Sequence, residues 1–149
     1  MNKFILLFVA GVVVVLIGWS LVQIMPQQTP GEKLQSGIVQ VSGGSYRNIA
    51  SEQLWTMLQK KDFVLINVHI PYEGELPQTD MFIPYNEIDK NLDKLPLDKS
   101  ARIVLYCRSG RMSAIAAETM VKLGYTDVWN LKEGMREWEQ KGYTLLNKP

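Results

Sequence analysis

Residues 102–124 read Arg-Ile-Val-Leu-Tyr-Cys-Arg-Ser-Gly-Arg-Met-Ser-Ala-Ile-Ala-Ala-Glu-Thr-Met-Val-Lys-Leu-Gly. The apolar β-type run from Arg102 to Tyr106 stops at Cys107, passes through a short polar stretch containing Gly110, and resumes as a helical pattern over 113–123 that ends at Gly124. The stretch therefore predicts a strand, a loop and a helix. Such a loop aims successive backbone N–H groups and the positive end of the helix dipole at one spot, and both favour an anion there. Cys107 is the side chain best placed to feel that field, with Arg108 and Arg111 close on either side of Gly110. Thiols ionise more readily at a helix N-terminus beside arginine, and the thiolate is the nucleophile. A lone Cys at a strand end can also be an inert, small hydrophobe. The doubly cationic, Gly-bearing loop that follows suits an anion site and does not suit a core.

The rest of the chain narrows what that site can be. With 149 residues and 46% hydrophobic content there is material for one domain with a core and something extra. Sixteen Lys and Arg against fifteen Asp and Glu leave no basic excess to argue for nucleic acid. Cys107 is the single cysteine and His69 the single histidine, which excludes an internal disulfide and argues against a metal cage.

Residues 1–25 are the extra part. From Phe4 to Val22 there is no charged side chain. As a helix these 19 residues rise roughly 28 Å, close to the ~30 Å hydrocarbon core of a bilayer. We expect an N-terminal transmembrane helix over residues 4–22, with the Lys3 end inside and the domain on the extracytoplasmic side. A cleaved secretory peptide is the competing reading, in which case the protein is secreted. Residues 26–45 are rich in Pro, Gln, Gly and Ser and read as a linker, within which Ile38 to Val41 is a short candidate strand.

The globular domain is expected over 46–149. Ser51 is placed to N-cap a helix bearing Leu54, Trp55 and Leu58 on one face. Phe63 to Val68 is a continuous apolar run, the pattern of a strand buried on both sides. A long loop with Pro71, Gly74, Pro77 and Pro84 follows, then a short helix at 86–92. After the Cys107 strand and its helix come a strand at 127–130 and a helix at 135–141. Strands alternating with helices imply an α/β fold with a central parallel sheet flanked by helices. Ligands of such sheets sit beyond the carboxyl ends of the strands, where Cys107 falls. Trp55, Trp129 and Trp138 are expected in the core, and Glu73, Glu75 and Asp80 read as a solvated acidic patch.

Taken in order, Ile103 to Gly110, then Leu123-Gly124-Tyr125 with Val128, then Asn130-Leu131-Lys132-Glu133-Gly134 followed by Trp138 and Gly142, resemble the rhodanese-like domains. The likeness extends weakly to Phe63–Val68 and covers about residues 46–147. It implies a small domain with a central parallel sheet, whose Cys accepts a sulfane sulfur as a persulfide and passes it to a nucleophile. It further implies that Cys107 is the catalytic residue and that Arg108, Ser109, Gly110, Arg111 and Met112 form the anion-binding loop. The partners would be a small anionic sulfur donor such as thiosulfate and a thiol or cyanide acceptor, with no cofactor. Three positions depart from the family pattern. Met112 closes the loop with the cation one position earlier, Asn67-Val68-His69 stands for Asp-x-Arg, and Gly74-Glu75-Leu76-Pro77-Gln78 lacks the customary His.

Other cysteine chemistries fit these residues less well. A Cys-dependent phosphatase or arsenate reductase needs an Arg six positions after the Cys, where Ser113 stands. A hydrolase pairing Cys107 with His69 lacks a recognisable context for the histidine. The alternative from a different class is a catalytically quiet, membrane-tethered binding module, with Met81, Phe82 and Tyr85 as an apolar rim for a partner.

Overall fold

The computed structural model describes residues 37–149. The expected membrane helix and the front of the linker lie outside the described residues, among which no helix is long and apolar enough to cross a membrane. Six strands form one sheet: β1 (Ile38–Val41), β2 (Gly44–Ile49), β3 (Val64–Asn67), β4 (Met81–Phe82), β5 (Ile103–Tyr106) and β6 (Val128–Leu131). Their spatial order is β1-β2-β6-β5-β3-β4. The helices are α1 (Ser51–Leu58), α2 (Arg111–Lys122) and α3 (Gly134–Gln140). The short helix expected at 86–92 is instead two 3-10 turns, Ile88–Lys90 and Leu92–Lys94.

The sheet is mixed rather than wholly parallel. β2, β6, β5, β3 and β4 run parallel, but β1 folds back antiparallel on β2, with Val39 opposite Tyr46 and Val41 opposite Gly44. The Ser42-Gly43-Gly44 stretch that reads as linker supplies the tight turn of this hairpin, so the folded domain starts ahead of Tyr46. Loop-like composition describes a hairpin turn as well as a tether.

All four β5 residues are buried, as a central strand covered on both faces requires. Alternation along β5 divides them: Ile103 and Leu105, and then Cys107, join the core around Ile66, Ala116, Ala117 and Met120 of the α2 side. Val104 and Tyr106 join Leu54, Leu65, Leu131, Met135 and Trp138 on the α1/α3 side. Trp138 is fully buried as expected, but Trp55 is 42% exposed and stacks on Tyr143 with ring centroids 4.7 Å apart. Trp129 is half-buried, with the Arg47 and Arg102 guanidinium carbons each 5.0 Å from its ring centroid.

Ser51 is the first residue of α1 rather than its cap; Ala50 holds the cap position. The start of α1 is instead satisfied from a distance of 86 residues. Glu137 Oε2 accepts from the Ser51 backbone N–H at 3.0 Å and from its hydroxyl at 2.9 Å, and this carboxylate belongs to α3. Lys141, the residue that follows α3, pairs with Glu52 of α1.

Tyr106 ties the long 69–84 loop to the sheet. Its buried hydroxyl accepts from Leu76 N–H at 3.0 Å; because Thr79 gives its own proton to Leu76 O at 2.7 Å, Tyr106 donates to Thr79 Oγ1, also at 2.7 Å. Burial pushes the Tyr106 phenol well above its usual range. Tyr106→Phe should therefore cost about 1–3 kcal/mol by leaving Leu76 N–H unpaired. The native state holds the Tyr106 proton more tightly than the unfolded chain, so this group's contribution is intact below about pH 10 and falls as pH rises beyond it. Urea unfolding at pH 7 and above pH 10 should show that extra alkaline loss in wild type and less of it in Tyr106→Phe.

Candidate active site

The parallel register Asn67 with Tyr106 brings the carboxyl ends of β3 and β5 level, and Val68 N–H donates to Tyr106 O at 2.9 Å. Cys107 is the next residue along β5. Its side chain turns toward α2 and is 1% exposed. The sulfur accepts from Gly110 N–H at 3.1 Å and lies 3.4 Å from the Ser113 hydroxyl. Ser113 has one proton and a second acceptor, Gly110 O at 3.2 Å, so its hydroxyl can turn from the loop carbonyl to a charged sulfur.

The loop is shaped by backbone contact rather than by side chains. Gly110 sits at φ +83°, and a Cβ there would lie 1.6 Å from Lys132 O. Gly134, at φ +60°, also comes close from the other side, where a Cβ would meet Cys107 O at 2.3 Å. Met135 N–H donates to Cys107 O at 2.9 Å and Arg136 N–H to Arg108 O at 3.0 Å, so the start of α3 buttresses the loop from beneath. Gly110 also precedes α2, whose Ala114 N–H donates to Gly110 O at 3.0 Å.

The two arginines have different fates. Arg108 Nη1 lies 3.0 Å from both carboxylate oxygens of Glu73, so its charge is already matched. Arg111, the first residue of α2, is exposed and engages no partner among the described residues. Ser109 is exposed, and Met112 is half-buried against the α2-side core. The acidic patch dissolves into separate fastenings: Glu73 on Arg108, Asp80 on Lys61 Nζ (2.6 Å) and Leu65 N–H (2.7 Å), and Glu75 on Asn147 Nδ2 (2.6 Å).

The departures at 67–69 have visible work. Asn67, fully buried, donates to Gly74 O at 3.0 Å and accepts from His69 N–H at 3.0 Å, using both ends of its amide to fold the loop. His69 is 6% exposed, neither ring nitrogen has a hydrogen-bond partner, and Nε2 stands 3.5 Å from Glu73 Oε2. The partners of the sulfur are Gly110 and Ser113, not His69. Of the apolar rim, Met81 and Phe82 lie on the edge strand β4, where Phe82 meets Tyr72 edge-on at 5.6 Å, and Tyr85 packs on the core. Among the described residues no group of His, Cys, Asp or Glu converges to hold a metal.

Sequence reasoning missed Ser113 and Glu73. The signal for Ser113 was available, since a hydroxyl in the first turn after a Cys loop faces back into it. Glu73 lies 35 residues from Arg108, and no local pattern links them. Beside that pair a cavity of about 260 Å³ opens toward Met135, Arg136, Glu139 and Lys148. Gly110→Ala should destabilise the domain by about 3 kcal/mol or more, because the new methyl meets backbone that cannot yield. Thermal unfolding of this variant beside Ser109→Ala, expected within about 0.5 kcal/mol of wild type, would test it; equal melting temperatures would contradict the contact.

Residues 50–141 match the Rhodanese-like domain family. A sulfurtransferase of Allochromatium vinosum is 30% identical over 102 residues, covering 66% of this chain and 92% of that protein. A putative sulfur carrier protein, YrkF, of Bacillus subtilis is 41% identical over 59 residues, but these are 40% of this chain and 31% of that protein. The crystal structure of a rhodanese-related protein from Thermoplasma volcanium superposes with a TM-score of 0.58 at 24% identity, covering 68% of this chain and 98% of that one. A strand-loop-helix with a Cys at its turn, set in this six-stranded sheet, and a family model that matches residues 50–141 make the chain a member of the rhodanese-like domain family.

Proposed function

We propose that the protein is a sulfurtransferase that carries a sulfane sulfur as a persulfide on Cys107, taking it from an anionic donor of the thiosulfate type and giving it to a thiol or cyanide. The observation that carries this reading is the Cys107 sulfur, held between Gly110 N–H and the Ser113 hydroxyl at the carboxyl end of β5. The family and the sulfurtransferase relatives support it.

The chemistry requires little beyond that cradle. The Cys107 thiolate attacks the outer sulfur of thiosulfate; a new S–S bond forms, the donor S–S bond breaks, and sulfite leaves with the electron pair. The persulfide keeps its negative charge on the terminal sulfur, where amide donors and the uncommitted Arg111 stabilise it. An acceptor thiolate or cyanide then attacks that sulfur, and Cys107 departs as thiolate. No proton has to be removed from the nucleophile once it is ionised, so the absence of a base on the sulfur is no obstacle.

Residues 4–22 are proposed as a bilayer anchor that holds the domain on the extracytoplasmic face, on the strength of their 19 uncharged residues. Recovery of the full chain in carbonate-washed membranes with Met1 or Asn2 at its N-terminus is the expected result; a chain that has lost about 20 residues would refute the anchor.

Supplied with thiosulfate and cyanide, the full chain should form thiocyanate and gain one sulfur atom in its intact mass. Cys107→Ser should abolish both. Ser113→Ala should keep both while slowing turnover roughly 10- to 150-fold, the worth of one hydrogen bond to a charged atom. A folded protein that gains no sulfur from any of several donors would favour the tethered binding module.

A further inference from the structure

We propose that the carboxyl end of the sheet, with the Cys107 loop, faces the bilayer, and that the sulfur passes to a thiol which a membrane-bound polypeptide presents at the headgroups. The inference rests on the anchor and on the sulfurtransferase reading above, and adds the side from which the site is reached.

β1 runs opposite to the other strands, so it begins at the carboxyl end of the sheet and finishes at the amino end. Ile38 stands opposite Arg47, and Asn48 N–H donates to Gly37 O at 2.7 Å. Asn48 is level in turn with Asn130, and Asn130 with Leu105, two residues before Cys107. Gly37 therefore lies three strand spacings to the side of β5, roughly 14 Å, and about 7 Å short of Cys107 along the strand direction. The chain enters the domain at the end that carries the nucleophile. Leu97, 94% exposed, marks the other end: the Tyr125 hydroxyl donates to Pro96 O at 2.7 Å and Thr126 N–H to Lys99 O at 2.9 Å, just ahead of β6.

Fourteen residues, 23–36, join Gly37 to the proposed anchor. A flexible chain of that length spans roughly 20 Å on average. A compact domain of residues 37–149 is about 35 Å across. With the Cys107 end toward the bilayer, the junction needs no more than that ordinary span. Turned over, the domain lifts Gly37 by most of its own width, and the same fourteen residues must be drawn out well beyond it. Arg136, whose N–H holds Arg108 O, stands exposed at the Cys107 end with no ion-pair partner among the described residues, and anionic headgroups supply one. In this attitude the bulk of the domain stands between the site and large acceptors in solution. The thiols it meets at short range are those held on the surface.

The test uses the full chain in vesicles of phosphatidylcholine and phosphatidylglycerol. In a Cys107→Ser background, Ser109→Cys marks the site end and Leu97→Cys the far end, each carrying a dye whose energy passes to an acceptor dye on the headgroups. Transfer from position 109 should be at least about fivefold faster than from 97, since the two heights differ by most of a domain's width. Equal or reversed rates overturn the orientation. Wild type loaded with sulfur is then given a cysteine peptide on a lipid anchor, its thiol either at the headgroups or lifted about 37 Å by a spacer of roughly twelve prolines. Both peptides are membrane-bound, so co-localisation is the same, and the lower thiol should take the sulfur at least about fivefold faster. Equal or reversed rates overturn the acceptor. A chain that leaves the vesicles on carbonate washing removes the anchor and this proposal with it. A chain that stays but never loads sulfur removes the sulfurtransferase reading and the acceptor, while the dyes still decide which end faces the bilayer.

Discussion

At Gly110 the Cys107 loop crosses the turn after β6 with no room for a side chain between them; a Cβ would sit 1.6 Å from Lys132 O. Backbone lies on backbone, and Gly134 makes the reciprocal approach beneath Cys107 and Arg108. The close passage sets the height of the loop above the sheet, aims Gly110 N–H at the sulfur, and lets Met135 and Arg136 reach the Cys107 and Arg108 carbonyls. It also fixes where α2 can begin, and so where Ser113 stands. Substituting any one of these partners alters a local contact; opening the passage alters all of them.

The strand, loop and helix around Cys107 were legible because each rests on local chemistry: an apolar run long enough for a buried strand, a glycine where the chain must turn left-handed, and helical periodicity afterwards. The family followed from several such motifs in order. What escaped was non-local. Ser51 and Glu137 meet across 86 residues, so the sequence around Ser51 shows a cap candidate but not the carboxylate that does the capping. The β1–β2 hairpin hid inside linker-like composition because Gly and Ser serve a tight turn and a tether equally well. Trp55 sits on the apolar side of a short helix, yet that helix reaches the edge of the core, and Tyr143 rather than the interior covers it.

The same division holds at the site. Cys107, Gly110 and Ser113 form a cluster within seven consecutive residues, and their grouping follows from one turn of chain. The electrostatic half is assembled from two separate segments. Asn67 replaces an acid and bends the following loop with a neutral amide, and that bend delivers Glu73 to Arg108. Charge that composition would assign to a solvated patch thus sits on the side chain of the residue that follows the nucleophile, and the net charge of the chain gives no hint of it.

The sheet ends unequally. β4 contributes only Met81 and Phe82 at one margin, and Phe82 is met edge-on by Tyr72. So brief a margin offers almost no unpaired backbone for another polypeptide to template on. Among the described residues the opposite margin is β1, four residues long, whose outer side meets no further strand. β1 is thus the longer of the two margins, among the described residues, at which another strand could add. Crowding many copies together would bring that margin, and not the β4 side, into competition for partners.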